Sequence, residues 1–421
     1  MIKKLLFVIG IIWGIVVDGQ TQIKTMSYNL MHFPSTTYYN ESTGTFTDRT
    51  PVLKGIMDTY QPDILMVCEL ESSQGADQIL QMALQTSDNR YNRANFAYNQ
   101  SSWDNTLQQL VFYNSQKLTL VSQDIVNTTV RDINHYTFQL NNTLIRLDVF
   151  VSHLKASTGI SNEQKRLEMV QQLTNYFASI PSNSFVIFGG DFNLYTSDEP
   201  AYRELLDATN PIVLVDPINS PGYWTSNYEF ETIHTQSPLT TNYHFQLASG
   251  GRDGATGGMD DRFDFILMSQ NLINGPQLKY VPGSYKAYGN NGNCYNSYIS
   301  NTNCSGIYPQ NLRNLLVNMS DHLPVVMTLE TPVTLDINQL THKSQITFAT
   351  ANISSNEIIL NVPSHFFGYY GEIFNQLGQK MGVYNLNQES LNIDISSYAQ
   401  GIYYIKVKNE DTQKPLKFIK K

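Results

Sequence analysis

Residues 185–193 read Phe-Val-Ile-Phe-Gly-Gly-Asp-Phe-Asn. A short apolar run of this kind predicts a buried strand. The two glycines close it, and Asp191 and Asn193 follow where the chain leaves the sheet. The same arrangement recurs along the chain. Asn29 ends Ile-Lys-Thr-Met-Ser-Tyr, Glu69 ends Asp-Ile-Leu-Met-Val-Cys, and His153 ends Asp-Val-Phe-Val-Ser. Asp264 sits inside Arg-Phe-Asp-Phe-Ile-Leu, and Asp321 and His322 precede Leu-Pro-Val-Val-Met. A single carboxylate after a strand is usually a turn former or helix cap. So many polar residues on strand edges instead point to one shared rim, where distant residues meet.

Working outward, strand-like runs fall at Ile23–Tyr28, Asp63–Val67, Gln109–Tyr113, Leu144–Ser152, Phe185–Phe188, Phe263–Met268 and Pro324–Glu330. Helix signals separate them. Thr50-Pro51 reads as an N-cap and first turn, and Ser161 with Gln164 as a capping box. Alternating strands and helices predict a layered α/β domain. Tyr223–Gly258 and Ser284–Asn318 are rich in Asn, Gly, Ser, Thr and Tyr and read as loops around a cleft. Beyond Thr331 only short strands and turns remain, which predicts a small all-β sandwich. The expected division is 1–19 export signal, 20–331 catalytic domain, 332–344 linker and 345–421 β-sandwich.

The 421 residues are 41% hydrophobic and 15% charged, enough apolar surface for a packed core. A net charge of -9 gives no general attraction to polyanions, so contact with nucleic acid needs local basic groups or a metal. Lys3 and Lys4 precede an apolar run from Leu5 to Val17, and Gly19 offers a cleavage point. This reads as an export signal, with no stable membrane span once it is removed. In an oxidising compartment Cys294 and Cys304 could close a short disulfide, whereas Cys68, in an apolar run, reads as a buried thiol.

Six segments, in chain order, resemble the endonuclease/exonuclease/phosphatase superfamily. They are Ser27-Tyr-Asn29, Cys68-Glu69-Leu70, Ser152-His153-Leu154-Lys155, Gly189-Gly-Asp191-Phe-Asn193, Arg262-Phe-Asp264-Phe-Ile and Ser320-Asp321-His322-Leu-Pro324. The resemblance implies a four-layer α/β/β/α sandwich with two mixed sheets. It implies a divalent-metal-dependent phosphoester hydrolase using Mg²⁺, Mn²⁺ or Ca²⁺. Phosphodiester hydrolysis needs an in-line water, neutralised phosphate oxygens and a protonated leaving oxygen. By resemblance, Glu69, Asn29 and Asp321 hold the metal, and Asp191 orients or deprotonates water. Asn193 donates to phosphate, Asp264 holds His322 for phosphate contact or proton transfer, and His153 is a phosphate donor or general acid. Met31 stands where some members carry a further carboxylate.

Lys155 and Arg262 could touch phosphate or be solvated, and Arg166 is expected on a helix face. Asp104 and Gln108 could support His153. Tyr285, Tyr288, Tyr295 and Tyr298 could stack bases or be loop packing. The C-terminal segments Glu372–Asn375, Leu377–Gln379, Ile393–Ser397, Gly401–Ile405 and Phe418–Lys421 look like the type A sorting domain of the Bacteroidota type IX secretion system. That resemblance implies export through the periplasm to the outside or the cell surface, with the secretion machinery as partner. The leading expectation is a secreted nuclease or related phosphodiesterase acting on nucleic acid. A sphingomyelinase-like phospholipid phosphodiesterase and a non-catalytic binding protein are the alternatives. Oligomeric state is not legible in the sequence.

Overall fold

Gly189 marks where two sheets meet. A Cβ there would lie 2.8 Å from the Met66 sulfur and 3.4 Å from Ser27 Cβ, so a larger residue would have to displace the Met66 side chain from the facing sheet. Gly190 is tighter still, since its Cβ would fall 1.8 Å from the Ser152 carbonyl oxygen.

The computed structural model describes residues 21–40, 44–85, 89–100, 106–239, 243–247, 251–332, 345–408 and 414–421. The expected export signal, residues 333–344 of the expected linker, and Asp104 lie outside these. The chain divides into compact units, Met1–Val333 and Thr334–Lys421.

In the first unit one sheet runs in the order Lys279–Tyr280, Val325–Glu330, Gln22–Phe33, Ile64–Leu70, Gln108–Asn114, Tyr91–Arg93. The facing sheet runs Leu214–Val215, Asp264–Ser269, Phe185–Asp191, Arg146–His153, Ile133–Leu140, Leu118–Val126. Each has a parallel pair at its centre and antiparallel strands around it. Both sheets are therefore mixed. Central strands covered on both faces need continuous apolar runs, and Ile64–Leu70 is buried at every position.

Helices Arg49–Tyr60 and Gln310–Met319 pack on the outside of the first sheet through Val52, Leu53, Ile56, Leu312 and Leu316. Helices Ile160–Tyr176 and Pro200–Leu205 cover the second through Met169, Val170, Leu173 and Leu205. The result is the expected four-layer α/β/β/α sandwich. Each such buried side chain contributes roughly 1.5–3 kcal/mol against exposure.

Local details differ from the sequence reading. The first helix is capped by Asp48, whose carboxylate accepts the Thr50 N–H, so Thr50 lies inside the helix. Helix Ile160–Tyr176 starts after Gly159 with no side-chain cap, so Ser161 and Gln164 form no capping box. Leu118–Val126 and Ile133–Leu140 are strands absent from the sequence reading; the first has a largely exposed face and so no continuous apolar run. Ser284–Asn318 is not loop throughout, because Gln310–Met319 is helical. Its cysteines do pair, Cys294 with Cys304, while Cys68 is free and buried. Tyr243–Leu247 and Arg252–Asp253 join Thr36–Asn40 and Thr45–Thr47 in a small antiparallel sheet.

The second unit is the expected all-β sandwich. A sheet of Thr347–Phe348, Glu357–Asn361 and Ser390–Asp394 encloses a core with a sheet of Ile353–Ser354, Leu416–Lys420, Gly401–Val407, Tyr369–Asn375 and Lys380–Leu386. Among the described residues no helix is long and apolar enough to cross a membrane.

Candidate active site

Strand direction explains why the singled-out residues meet. Asn29 and Glu69 end neighbouring parallel strands in one sheet. His153 and Asp191 are paired at the end of the parallel pair in the other, and Asp264 opposes Asp191 at the start of an antiparallel strand. Asp321 and His322 immediately precede antiparallel Val325–Glu330, which pairs with the Asn29 strand. Parallel strands end where antiparallel neighbours begin, so all these side chains reach one end of the sandwich.

The Asn29 strand breaks register between Asn29 and Phe33, with Met31 and His32 left-handed at φ 47° and 45°. Glu69 is left-handed as well, at 58°. Few side chains tolerate this region, so surrounding contacts must hold it. Buried Arg49 supplies them: it donates to the carbonyls of Leu30 (2.6 Å), Met31 (2.8 Å), Thr36 (3.0 Å) and Met319 (2.8 Å). It thereby ties the bulge to the turn before Asp321.

At the centre the Asn29 amide nitrogen donates to Glu69 Oε1 (2.9 Å) and Asp191 Oδ2 (3.1 Å). Its oxygen accepts the Met31 N–H. As oriented, Asn29 positions two carboxylates. Glu69 Oε2 accepts the His32 N–H (3.1 Å). His153 Nε2 lies 3.6 Å from Asp191 Oδ2 and 3.9 Å from Glu69 Oε1. His322 Nδ1 is 2.7 Å from Asp264 Oδ2, and its Nε2 is 3.7 Å from Asp191 Oδ2. Asn193 donates its N–H to Asp191 Oδ1 (3.0 Å) and its amide to the Leu154 carbonyl (3.4 Å). Asp321 Oδ2 accepts the Ala255 N–H (2.7 Å).

Burial and neighbours set the charges. Burial alone would push His322 down, but Asp264, Asp191 and Asp321 outweigh it and hold the ring well above its ordinary pKa. His153 is pushed well below, by burial first and then by Arg131, His322, His32 and Lys155. One histidine is thus kept charged and the other neutral. Burial lifts Asp191 to about 7, with Asp264 and Glu69 adding to the rise and His322 opposing it. Asp321 is raised by burial, again against His322.

The residues suit a divalent cation. Oδ1 of Asp321 and Oδ1 of Asp264 are buried with no hydrogen-bond donor. Unpartnered buried carboxylate oxygens are costly unless a cation satisfies them. Glu69, His153 and Asp191 can bring ligand atoms within 4.8 Å of one another, as can Asp191, Asp264 and His322. Hard oxygen donors favour Mg²⁺ or Mn²⁺.

Weaker sequence candidates fall elsewhere. Arg262 is neither solvated nor free, because it forms a buried bidentate pair with Asp216 (2.9 and 3.0 Å). Arg166 is buried against Glu199 at 2.7 Å. Lys155 Nζ donates to the Ala156 carbonyl (2.8 Å). Gln108 accepts the Asn99 N–H at 2.7 Å. Tyr285 and Tyr288 are buried packing residues; Tyr295 and Tyr298 are half-buried. Sequence reasoning missed His32, Asp253, Gln236, Arg131 and Arg49. Gln236 Nε2 lies 2.6 Å from His322 Nε2; with the ring protonated, the amide presents its oxygen there instead. His32 had a usable signal, since it follows Asn29 closely. Asp253 ends a two-residue strand too short to show a period, and Gln236 lies in an irregular stretch, so neither had one.

Residues 350–421 match a family described as the secretion system C-terminal sorting domain. No curated protein matches the chain. Among solved structures it is similar to D. rerio TDP2 complexed with single-strand DNA product (15% identity, TM-score 0.46, covering 73% of this chain and 99% of that one). It is likewise similar to an endonuclease/exonuclease/phosphatase family protein from Bacteroides thetaiotaomicron (15%, 0.46, 75% and 99%). A third is the mannosyl-6-phosphatase of B. thetaiotaomicron (16%, 0.44, 73% and 99%).

Proposed function

We propose that this chain is a secreted, divalent-metal-dependent phosphoester hydrolase, working as a nuclease or related phosphodiesterase. The observation that carries the reading is the meeting of Asn29, Glu69, His153, Asp191, Asp264, Asp321 and His322 at one end of the sandwich. Packing alone does not require buried carboxylates beside one neutral and one charged histidine.

Glu69 and Asp321 would hold the cation with Asn29 beside them, and the Asn29 amide bridges and aligns Glu69 and Asp191. A bound divalent ion supplies charge neutralisation at the phosphate oxygens. Asp191 accepts the proton of the attacking water, a task suited to a carboxylate raised to about 7. His322, charged by its Asp264 contact, donates to a phosphate oxygen or to the leaving oxygen. His153, held neutral, contributes a hydrogen bond rather than a charge. Asn193 adds an amide donor beside Asp191. The C-terminal sorting domain supports export of the chain.

The test is a substrate panel: single- and double-stranded DNA, RNA, a chromogenic phosphodiester and sphingomyelin vesicles, each with Mg²⁺, with Mn²⁺ and with chelator. Metal-dependent cleavage of nucleic acid is expected. Choline phosphate release without nucleic-acid cleavage would move the assignment to lipid, and no product on any substrate would end it.

A further inference from the structure

Outside the residues already assigned, one histidine faces Glu69. His32 Nε2 lies 3.6 Å from Glu69 Oε2, and its Nδ1 lies 2.7 Å from Asp253 Oδ2. The second contact is off the N–H direction of the ring, since Asp253 Oδ2 counts no directed hydrogen bond, so it is an ionic contact. The Asp253 ion pair holds the ring over Glu69, with Nε2 turned to that acid. The spacing fits as well. Two donors bound to one cation at roughly 2.1 Å each, about 115° apart, are separated by about 3.6 Å.

We propose that His32 is a nitrogen ligand to the cation held by Glu69, with Asp253 orienting its ring. This rests on the reading of Glu69 as a metal ligand. The backbone supports it from several directions. The bulge after Asn29 turns His32 back over Glu69, and the His32 N–H fixes Glu69 Oε2. On the other side, Asp253, Gly254 and Ala255 form one strap. Asp253 holds His32, left-handed Gly254 turns the chain, and the Ala255 N–H holds Asp321 Oδ2. One hairpin therefore positions both a nitrogen and an oxygen donor. The His32 side chain keeps 27% of its surface exposed, which leaves an entry path for the ion. A mixed nitrogen and oxygen set selects a first-row transition ion such as Mn²⁺, Co²⁺ or Zn²⁺ over Mg²⁺.

Pulsed electron paramagnetic resonance of the full chain loaded with Mn²⁺ reads the ligand directly, without turnover. The wild type should show a nitrogen coupling. His32→Asn, which tolerates the left-handed backbone, should lose that coupling and bind Mn²⁺ more weakly, while His153→Gln should keep it. Asp253→Asn should retain the coupling and weaken Mn²⁺ binding about 10–100-fold. Circular dichroism confirms that each variant is folded, and His32→Gln serves in place of any His32→Asn that is not. A nitrogen coupling unchanged without His32 overturns the proposal while leaving the metal reading intact. Failure of the wild type to bind Mn²⁺, with Glu69→Gln no different, overturns both.

Discussion

His322 Nδ1 and Asp264 Oδ2 are 2.7 Å apart, both fully enclosed by protein. The contact fixes which nitrogen of the ring faces Asp264 and turns Nε2 toward the Gln236 amide and the Asp191 carboxylate. Asp264→Asn keeps the shape but removes the charge that stabilises the protonated ring. It should lower kcat by about 10²–10⁴-fold with little change in KM, and steady-state kinetics on the chromogenic phosphodiester would check this. An unchanged kcat would remove His322 from proton transfer.

The pH dependence follows from Asp191. It is the water-activating base only when ionised, and burial raises it to about 7 without a cation. Activity should therefore fall as pH drops through that limb. A bound cation favours the ionised form, so raising Mn²⁺ should move the acid limb of kcat/KM to lower pH. A limb indifferent to Mn²⁺, or a rate that increases in acid, contradicts the assignment.

Metal should also stabilise the fold. A ligand that binds only the native state at a hundred times its Kd contributes about 2.7 kcal/mol. Thermal unfolding should shift upward by a few degrees on adding Mn²⁺ and return on chelation. Asp321→Asn, which removes charge at an oxygen with no protein donor, should shrink that shift. An equal shift in the variant would take Asp321 out of the ligand set.

Arg49 predicts a stability effect far from any substrate. Arg49→Met removes the donor to the carbonyls of Leu30, Thr36 and Met319, each costing about 1–3 kcal/mol where it is left unpaired and water cannot enter, while the Met31 carbonyl keeps the Thr36 hydroxyl. Urea denaturation should show a loss of several kcal/mol. The remaining folded fraction should bind Mn²⁺ poorly, because the bulge whose His32 N–H fixes Glu69 and the turn that carries Asp321 lose their common tie. A loss below about 1 kcal/mol would mean that the bulge holds itself.

What was legible in the sequence followed from periodicity. A central strand is apolar throughout, so a polar residue at its end stands out, as Asn29, Glu69, His153 and Asp191 do. The layered sandwich could be read from the same runs. Contacts that close across loops left no such trace. Asp253 reaches His32 through a hairpin, and Gln236 reaches His322 from an irregular stretch. Arg262 was left open between phosphate and solvent because its motif shows a charge but not its partner, Asp216. Arg166 does lie on a helix face, but its partner Glu199, on another element, was not legible. Edge strand Leu118–Val126 escaped because solvent covers one face and alternation replaces the apolar run. The two helix starts were misread for a local reason: Ser, Thr and Asp are interchangeable as caps, and geometry chose Asp48 in one case and no side chain in the other.

The most direct measurement compares wild type, Asp191→Asn and His322→Ala on a chromogenic phosphodiester, each verified as folded, with Mn²⁺ and with chelator. The wild type should turn over only with metal, and each substitution should reduce the rate by at least about 10²-fold. Turnover that survives chelation, or that either substitution leaves at the wild-type rate, would contradict a metal-assisted phosphoester hydrolase centred on these residues.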